Sequence, residues 1–348
     1  MRPKSSGPAM RIDCLREARL WALAMALACQ AAPPVATTSP ARAEVKSFSS
    51  SEPIEPIPLD AEIDQPLAAL GERLFSSTIT SADGRVACSS CHASDHALAE
   101  RSAVSENPFR PKTPTNSTSI FNVRYFYKIK WNGEFESIEA HLDALIKTPK
   151  IMGSSWSEIA ARLRSDAEWV SQFKQVFPDG PTENNVKRAL LEYERSLVTP
   201  NAPFDRFLRG EVDALAPEGR HGYDLFKDYG CISCHQGMAV GANMLERVSV
   251  MRDYFQVFGR SSGPERDADL GRFSVTHREE DRHVFRVPSL RNVAATGPYF
   301  HNGLVPTLEE AVRLMGEYQL DRELSESDIH DIVAFLQSLS GEYRGVRL

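Results

Sequence analysis

Two copies of one five-residue pattern, Cys88-Ser89-Ser90-Cys91-His92 and Cys231-Ile232-Ser233-Cys234-His235, constrain this chain more than any other feature. Cys-x-x-Cys-His is the attachment signature of a c-type haem. Two thiols about one helical turn apart reach the two vinyl groups of one porphyrin, and the adjacent imidazole turns onto the iron. Zinc is the competing occupant, because Cys-x-x-Cys pairs also bind that metal. Both pairs are followed at once by His, which favours haem. The periodicity elsewhere is helical and no run of alternating strands appears, so the expected class is mainly α with two cytochrome c-like domains, each carrying one covalent haem.

The amino terminus sets the compartment in which haem attachment would occur. Arg2, Lys4, Arg11, Arg16 and Arg19 form a basic region ahead of the apolar stretch Leu20 to Ala32, and Ala41-Arg42-Ala43 is a small-x-small cleavage pattern. We read residues 1–43 as an export signal cut after Ala43, leaving a periplasmic protein. Lipidation at Cys29, preceded by Ala26-Leu27-Ala28, is a minor alternative. No later segment is apolar enough to span a bilayer. Of six cysteines, Cys14 and Cys29 leave with the signal and the other four belong to the haem motifs, so no disulfide framework is expected.

The full chain has 40 Lys+Arg against 47 Asp+Glu, a net charge of -7. The signal carries six basic and two acidic residues, so the mature chain is near -11. That balance argues against a nucleic-acid partner, whose phosphates reward positive surfaces, and favours a basic protein partner.

The chain also repeats itself. Gly71-Glu72-Arg73-Leu74-Phe75 precedes the first motif and Gly222-Tyr223-Asp224-Leu225-Phe226 the second, each predicting the end of a helix that leads into a haem loop. The expected domains are residues 44–205 and 206–348, with a connection starting at Pro200-Asn201-Ala202-Pro203. Helical spacing recurs at Ile138, Leu142 and Leu145, and again at Val186, Ala189, Leu190, Tyr193 and Leu197. Thr307 with Glu310 predicts a capping box for a helix carrying Leu308, Ala311, Val312 and Met315 on one face. A last helix places Ile329, Ile332, Val333, Leu336 and Leu339 inward and is expected to stop at Gly341. On spacing alone Met315 reads first as an ordinary core residue, with a thioether ligand opposite His235 as the alternative.

Longer stretches settle the family. Phe285 to Val293, Thr296 to Gly303 and Thr307 to Met315 closely resemble the bacterial dihaem cytochrome c peroxidases. So do Trp131-Asn132-Gly133 with Ser137-Ile138-Glu139, Met152-Gly153, and Tyr193 to Leu197. The resemblance covers nearly all of the mature chain. It implies Met315 as sixth ligand of a high-potential, electron-accepting haem, with Arg291 and Asn292 as haem-side polar residues. It implies a calcium ion held by Asn116 and the backbone carbonyls of Thr296 and Pro298, oxygen donors that suit a hard cation. Trp131 matches the aromatic residue between the haems, a place where it also packs as core.

Two departures from the family fall at the first haem. The loop Ala93 to Thr115 holds only His96, one turn from His92, where relatives carry a displaceable His. Ile151 stands where relatives carry a catalytic Glu before the Met-Gly pair. His141, in a slot usually held by Gln, is the substitute acid-base residue, read against the alternative of a solvated His on a helix face. The implied activity is reduction of hydrogen peroxide to water, with electrons from a small basic cytochrome c or cupredoxin; a homodimer is left open as the assembly. Two alternatives stand: a MauG-type enzyme oxidising residues of a partner protein, which Met315 argues against because those enzymes carry Tyr there, and a non-catalytic dihaem electron carrier, suggested by Ile151.

Overall fold

A computed structural model describes residues 52–92, 96–100, 102–103, 109, 115–256 and 265–348. The expected export signal, with Cys29 and Ala43, lies outside the described residues, as does part of the loop after His92.

Five helices surround the first motif: α1 (Gln65–Phe75), α2 (Ile138–Lys147), α3 (Trp156–Arg164), α4 (Ala167–Val176) and α5 (Glu183–Ser196). Five follow: α6 (Pro203–Leu208), α7 (Pro217–Asp228), α8 (Phe273–Thr276), α9 (Leu308–Leu314) and α10 (Glu326–Gln337). Asp64, Ser137, Ser155, Asp166, Thr182, Thr307 and Ser325 each cap a helix by accepting an N–H of its first turn. Pro203 and Pro217 open α6 and α7, where a missing N–H costs nothing. Strand content among the described residues is two short antiparallel ribbons: β1 (Leu245–Arg247) with β2 (Val284–Arg286), and β3 (Glu342–Tyr343) with β4 (Val346–Arg347).

The helix periodicities land as expected, with two local differences. Thr307 accepts the Glu310 N–H at 3.2 Å, but the Glu310 carboxylate turns to Arg313 rather than back to the cap, so the box is half made. Helix α10 ends at Gln337, before Gly341. Gly341 serves another purpose: a Cβ there would sit 2.0 Å from the Thr199 carbonyl oxygen, so the residue permits two chain segments to touch.

Close approach also explains the repeated glycines. At Gly71 a Cβ would fall 2.0 Å from the Ala189 carbonyl, and at Gly222 one would fall 1.8 Å from the Asp331 carbonyl. Each glycine marks the crossing of a motif-bearing helix with its partner, α1 on α5 and α7 on α10. The repeat runs further than that pattern. Asn122 and Asn292, Trp131 and His301, Gly133 and Gly303, and Ser137 and Thr307 are each 170 residues apart. Asn122 and Asn292 both adopt left-handed backbone, and both donate to the Thr199 hydroxyl, at 2.8 and 3.0 Å. One buried threonine thereby ties the two halves at equivalent points.

Core membership does not follow a single cut in the chain. The first core draws on α1 to α5, and Tyr343 and Leu348 from the far terminus pack on it. The second draws on α6, α7 and α10, and includes Ile54 from the near end. A third, aromatic cluster of Tyr254, Phe255 and Phe285 packs against Trp131 and Phe300.

Candidate haem sites

The first motif sits in a short 3-10 turn, Cys88–Ser90, which keeps the two sulfurs on one side. His92 follows with its Nδ1 2.9 Å from the Leu98 carbonyl oxygen, which fixes the ring and leaves Nε2 free for iron. Burial holds the His92 imidazole below its ordinary range, hence neutral, as a ligand must be. The second motif repeats the turn at Cys231–Ser233, and burial lowers His235 to about 4.

Burial pushes the Cys88 thiol up to about 12 and the Cys231 thiol up to about 11. Thioether attachment leaves no charge to bury at either place. Among the described residues no group of three His, Cys, Asp or Glu side chains is placed to hold a metal ion.

Cys231, Cys234, His235 and Met315 line one cavity. Leu308, Ala311 and Val312 of α9 line it too, so the predicted face of that helix is its wall. Met315 opens a π-turn, Met315–Gln319, that interrupts the helix at this point. Widened turns of this kind are frequent at functional sites. Leu145 of α2 lies 170 residues before Met315, at the equivalent place in the first half. Its side chain has no atom that binds iron.

Of the three arginines that line this cavity, Arg286 and Arg291 are buried and do different work. The Arg291 guanidinium is fully buried against Asp205 at 2.6 Å and donates to the carbonyls of Met238 and Glu55. Its charge is therefore committed to a structural clamp. Arg286, 2% exposed, donates to the Lys130 carbonyl at 3.2 Å and lies 4.8 Å from the centre of the Phe126 ring. Burial alone lowers it to about 10, with no carboxylate to oppose that shift. A buried cation without a counter-charge, in an apolar cavity beside Cys-x-x-Cys-His, fits the carboxylate edge of a haem. Both arginines are buried, and the Asp205 counter-charge at Arg291 alone distinguishes them.

Trp131 lies on the wall of the same cavity and donates its indole N–H to the Asn116 carbonyl at 2.9 Å. Its ring meets His301 edge-on at 6.4 Å. His301 in turn pairs with buried Asp269 at 2.7 Å. Sequence reading passed over this His301-Asp269 pair, because the partners are 32 residues apart with no motif between them. Asn116, Thr296 and Pro298 also line the cavity. The Asn116 amide nitrogen donates to Ser102, so its oxygen is the atom left for a cation. His96 reaches the Gly297 carbonyl at 2.9 Å, across to the second half.

His141 projects from α2, capped by Ser137. Its ring lies 5.2 Å from that of Phe135 and within the electrostatic reach of His92. Burial first, then Lys130 and His92, lower its imidazole to about 3. Ile151 packs at the edge of the first core.

Comparison with known proteins agrees with this arrangement. The family model described as di-haem cytochrome c peroxidase matches residues 65–213. The cytochrome c peroxidase of Escherichia coli strain K12 is 38% identical over 84% of this chain, which spans 62% of that protein's length. The cytochrome c551 peroxidase of Nitrosomonas europaea is 34% identical, over 86% of this chain and 88% of its own. A solved MauG-like protein associated with microbial copper homeostasis superposes with a TM-score of 0.71 at 26% identity, covering 85% of this chain and 95% of that one. With two cytochrome c-like haem sites in a mainly helical fold, the chain belongs to the di-haem cytochrome c peroxidase family and is a haem peroxidase, an oxidoreductase.

Proposed function

We propose that this protein reduces hydrogen peroxide to water in the periplasm, drawing electrons from a small basic cytochrome c or cupredoxin. The single observation that carries the reading is the asymmetry between equivalent positions, Met315 in the second half and Leu145 in the first. A Met/His pair suits an electron-accepting site, whereas a site with one protein ligand keeps a position for substrate. When bound, the two haems supply the one-electron chemistry and the iron that peroxide meets.

The chain's own residues do the rest. Cys88, Cys91 and His92 hold the peroxide-facing haem; Cys231, Cys234, His235 and Met315 hold the electron-receiving one. Arg286 meets the carboxylate edge, and the clamp of Arg291 on Asp205 keeps that wall rigid. His141 takes the proton from one peroxide oxygen and returns it to the other, so that the second leaves as water. An imidazole lowered to about 3 is neutral at all physiological pH, the form that accepts a proton. Trp131, held by Asn116, is the aromatic step between the two sites. Asn116 with the carbonyls of Thr296 and Pro298 holds a calcium ion that fixes this junction. The domains divide near residues 205 and 206, a signal ending at Ala43 directs export, and the acidic mature surface steers a basic donor.

Mixing peroxide with the fully oxidised and the half-reduced holoprotein, with and without reduced cytochrome c, tests the reading. Rapid donor oxidation, slowing as salt is added, is the expected result. A long-lived two-haem oxidised state without donor turnover would replace it with oxidation of a partner protein, a reading favoured by the likeness to the MauG-like structure. Spectral inertness would leave an electron carrier. Met315→Ala should lower the potential of the second haem by a fraction of the ~0.8 V that axial ligands command. An unchanged potential in a redox titration would remove Met315 from the ligand set.

A further inference from the structure

The two halves place the same aromatic pair beside their histidines, with one difference. In the second, Phe226 lies 6.2 Å from His235 and 5.1 Å from Phe335. In the first, Phe75 lies 6.4 Å from His92 and 5.1 Å from Tyr193. Tyr193 and Phe335 occupy matching places on α5 and α10, opposite the glycines at the two helix crossings. Packing at this position is therefore met by a phenylalanine. At this position the first half carries a phenol, 6% exposed, where the second carries none.

That hydroxyl leads outward. Tyr343, on β3 at the far end of the chain, packs against the core that contains Tyr193, and the two phenols are near enough to act on each other. Tyr343 packs edge-on to Phe121 at 5.0 Å and is partly exposed. The exposed Arg344 covers its other side, 5.1 Å from the ring centre, and bonds Glu72 of α1. Glu72 is near enough to act on both phenols. A cation over the ring disfavours a positively charged oxidised ring, so oxidation here must release the phenol proton.

We propose that Tyr193 and Tyr343 form an oxidisable relay that drains oxidising equivalents from the first haem site to the surface when no donor is bound. The inference rests on the peroxidase reading, with hydrogen peroxide as the oxidant. One electron passes from Tyr343 through Tyr193 to the centre held by His92. The Tyr343 O–H bond breaks, its proton goes to the Glu72 carboxylate and then to water, and a neutral tyrosyl radical remains. A small one-electron reductant, such as a thiol or an enediol, restores the phenol by returning one electron and one proton. The relay ends on a two-stranded ribbon at the surface, away from the buried core that uncontrolled oxidation would damage.

Freeze-quenched electron paramagnetic resonance on the full holoprotein, mixed with peroxide in the absence of donor, tests this. A tyrosyl signal is expected in the parent chain. It should be lost in Tyr193→Phe with Tyr343→Phe, and changed in line shape in Tyr343→Phe alone. Peptide mapping should find oxidised or cross-linked Tyr343, and the double variant should lose haem absorbance sooner in excess peroxide. Both variants remove only a hydroxyl, so haem content and turnover with donor should stay as in the parent. Haem oxidation with no tyrosyl signal, or an equal signal in the double variant, overturns the relay alone. Haem spectra that do not respond to peroxide overturn the peroxidase reading and the relay with it.

Discussion

His141→Leu should cut peroxide turnover by roughly 10²–10⁴-fold, the usual worth of a positioned proton-transfer group, while both haems stay attached. Leucine keeps the helix and much of the volume, so the change isolates the imidazole. Among the described residues, neither Ile151 nor Leu145 offers a proton acceptor in its place. Because burial holds His141 near 3, its charge does not change between pH 5 and 8. The pH profile of the parent should be flat across that range as far as this group is concerned, and the variant should be uniformly slower. Stopped-flow donor oxidation, normalised to haem content, reads both. Turnover equal to the parent would reduce His141 to a packing residue against Phe135.

Gly222→Ala should be among the most destabilising single-methyl additions available in the chain. The new Cβ would meet the Asp331 carbonyl oxygen at 1.8 Å and the Ile332 nitrogen at 2.9 Å. These are backbone atoms, so relief requires α7 and α10 to separate along their crossing. Overpacking of this kind costs about 1–3 kcal/mol and sometimes more. Alanine is favoured over glycine in a helix by ~1 kcal/mol, too little to offset the collision. Gly219→Ala on the same helix is the control. Its Cβ would meet the end of the Leu215 side chain at 2.9 Å and the Ala334 carbonyl oxygen at an ordinary 3.6 Å, so no backbone atom has to move. Urea unfolding of the two holoproteins should therefore move in different amounts, with Gly222→Ala losing several times more. Equal midpoints would mean that the crossing is looser than the contact implies. Gly71→Ala, facing Ala189 across α1 and α5, should behave like Gly222→Ala.

Much of this was legible before any coordinates, because covalent attachment writes itself into sequence as fixed local spacing. Cys88 to His92 and Cys231 to His235 are short-range patterns, as are the cap at Thr307 and the apolar stripe of α10. Other features escaped because their meaning depends on what lies opposite. Gly341 resembles a helix stop in sequence and proves to be a contact point with Thr199. The 170-residue repeat is weak as letters, since Trp131 answers to His301 and Leu145 to Met315. It becomes plain once Asn122 and Asn292 are seen sharing one threonine hydroxyl.

The sequence by itself determined that two c-type haems are carried on a mainly helical chain of the dihaem peroxidase family, since five-residue motifs and their flanking helices suffice for that. Only the tertiary structure decided which arginine is neutralised and which is left buried with its charge. It also decided that Trp131 sits edge-on to a His301-Asp269 pair, and that Tyr343 of β3 packs on the first core beside the phenol of Tyr193. The physical reason is range: attachment and helix formation act over a few residues. Counter-charges, ring contacts and backbone crossings are set by burial between segments far apart in sequence, and no local pattern encodes them.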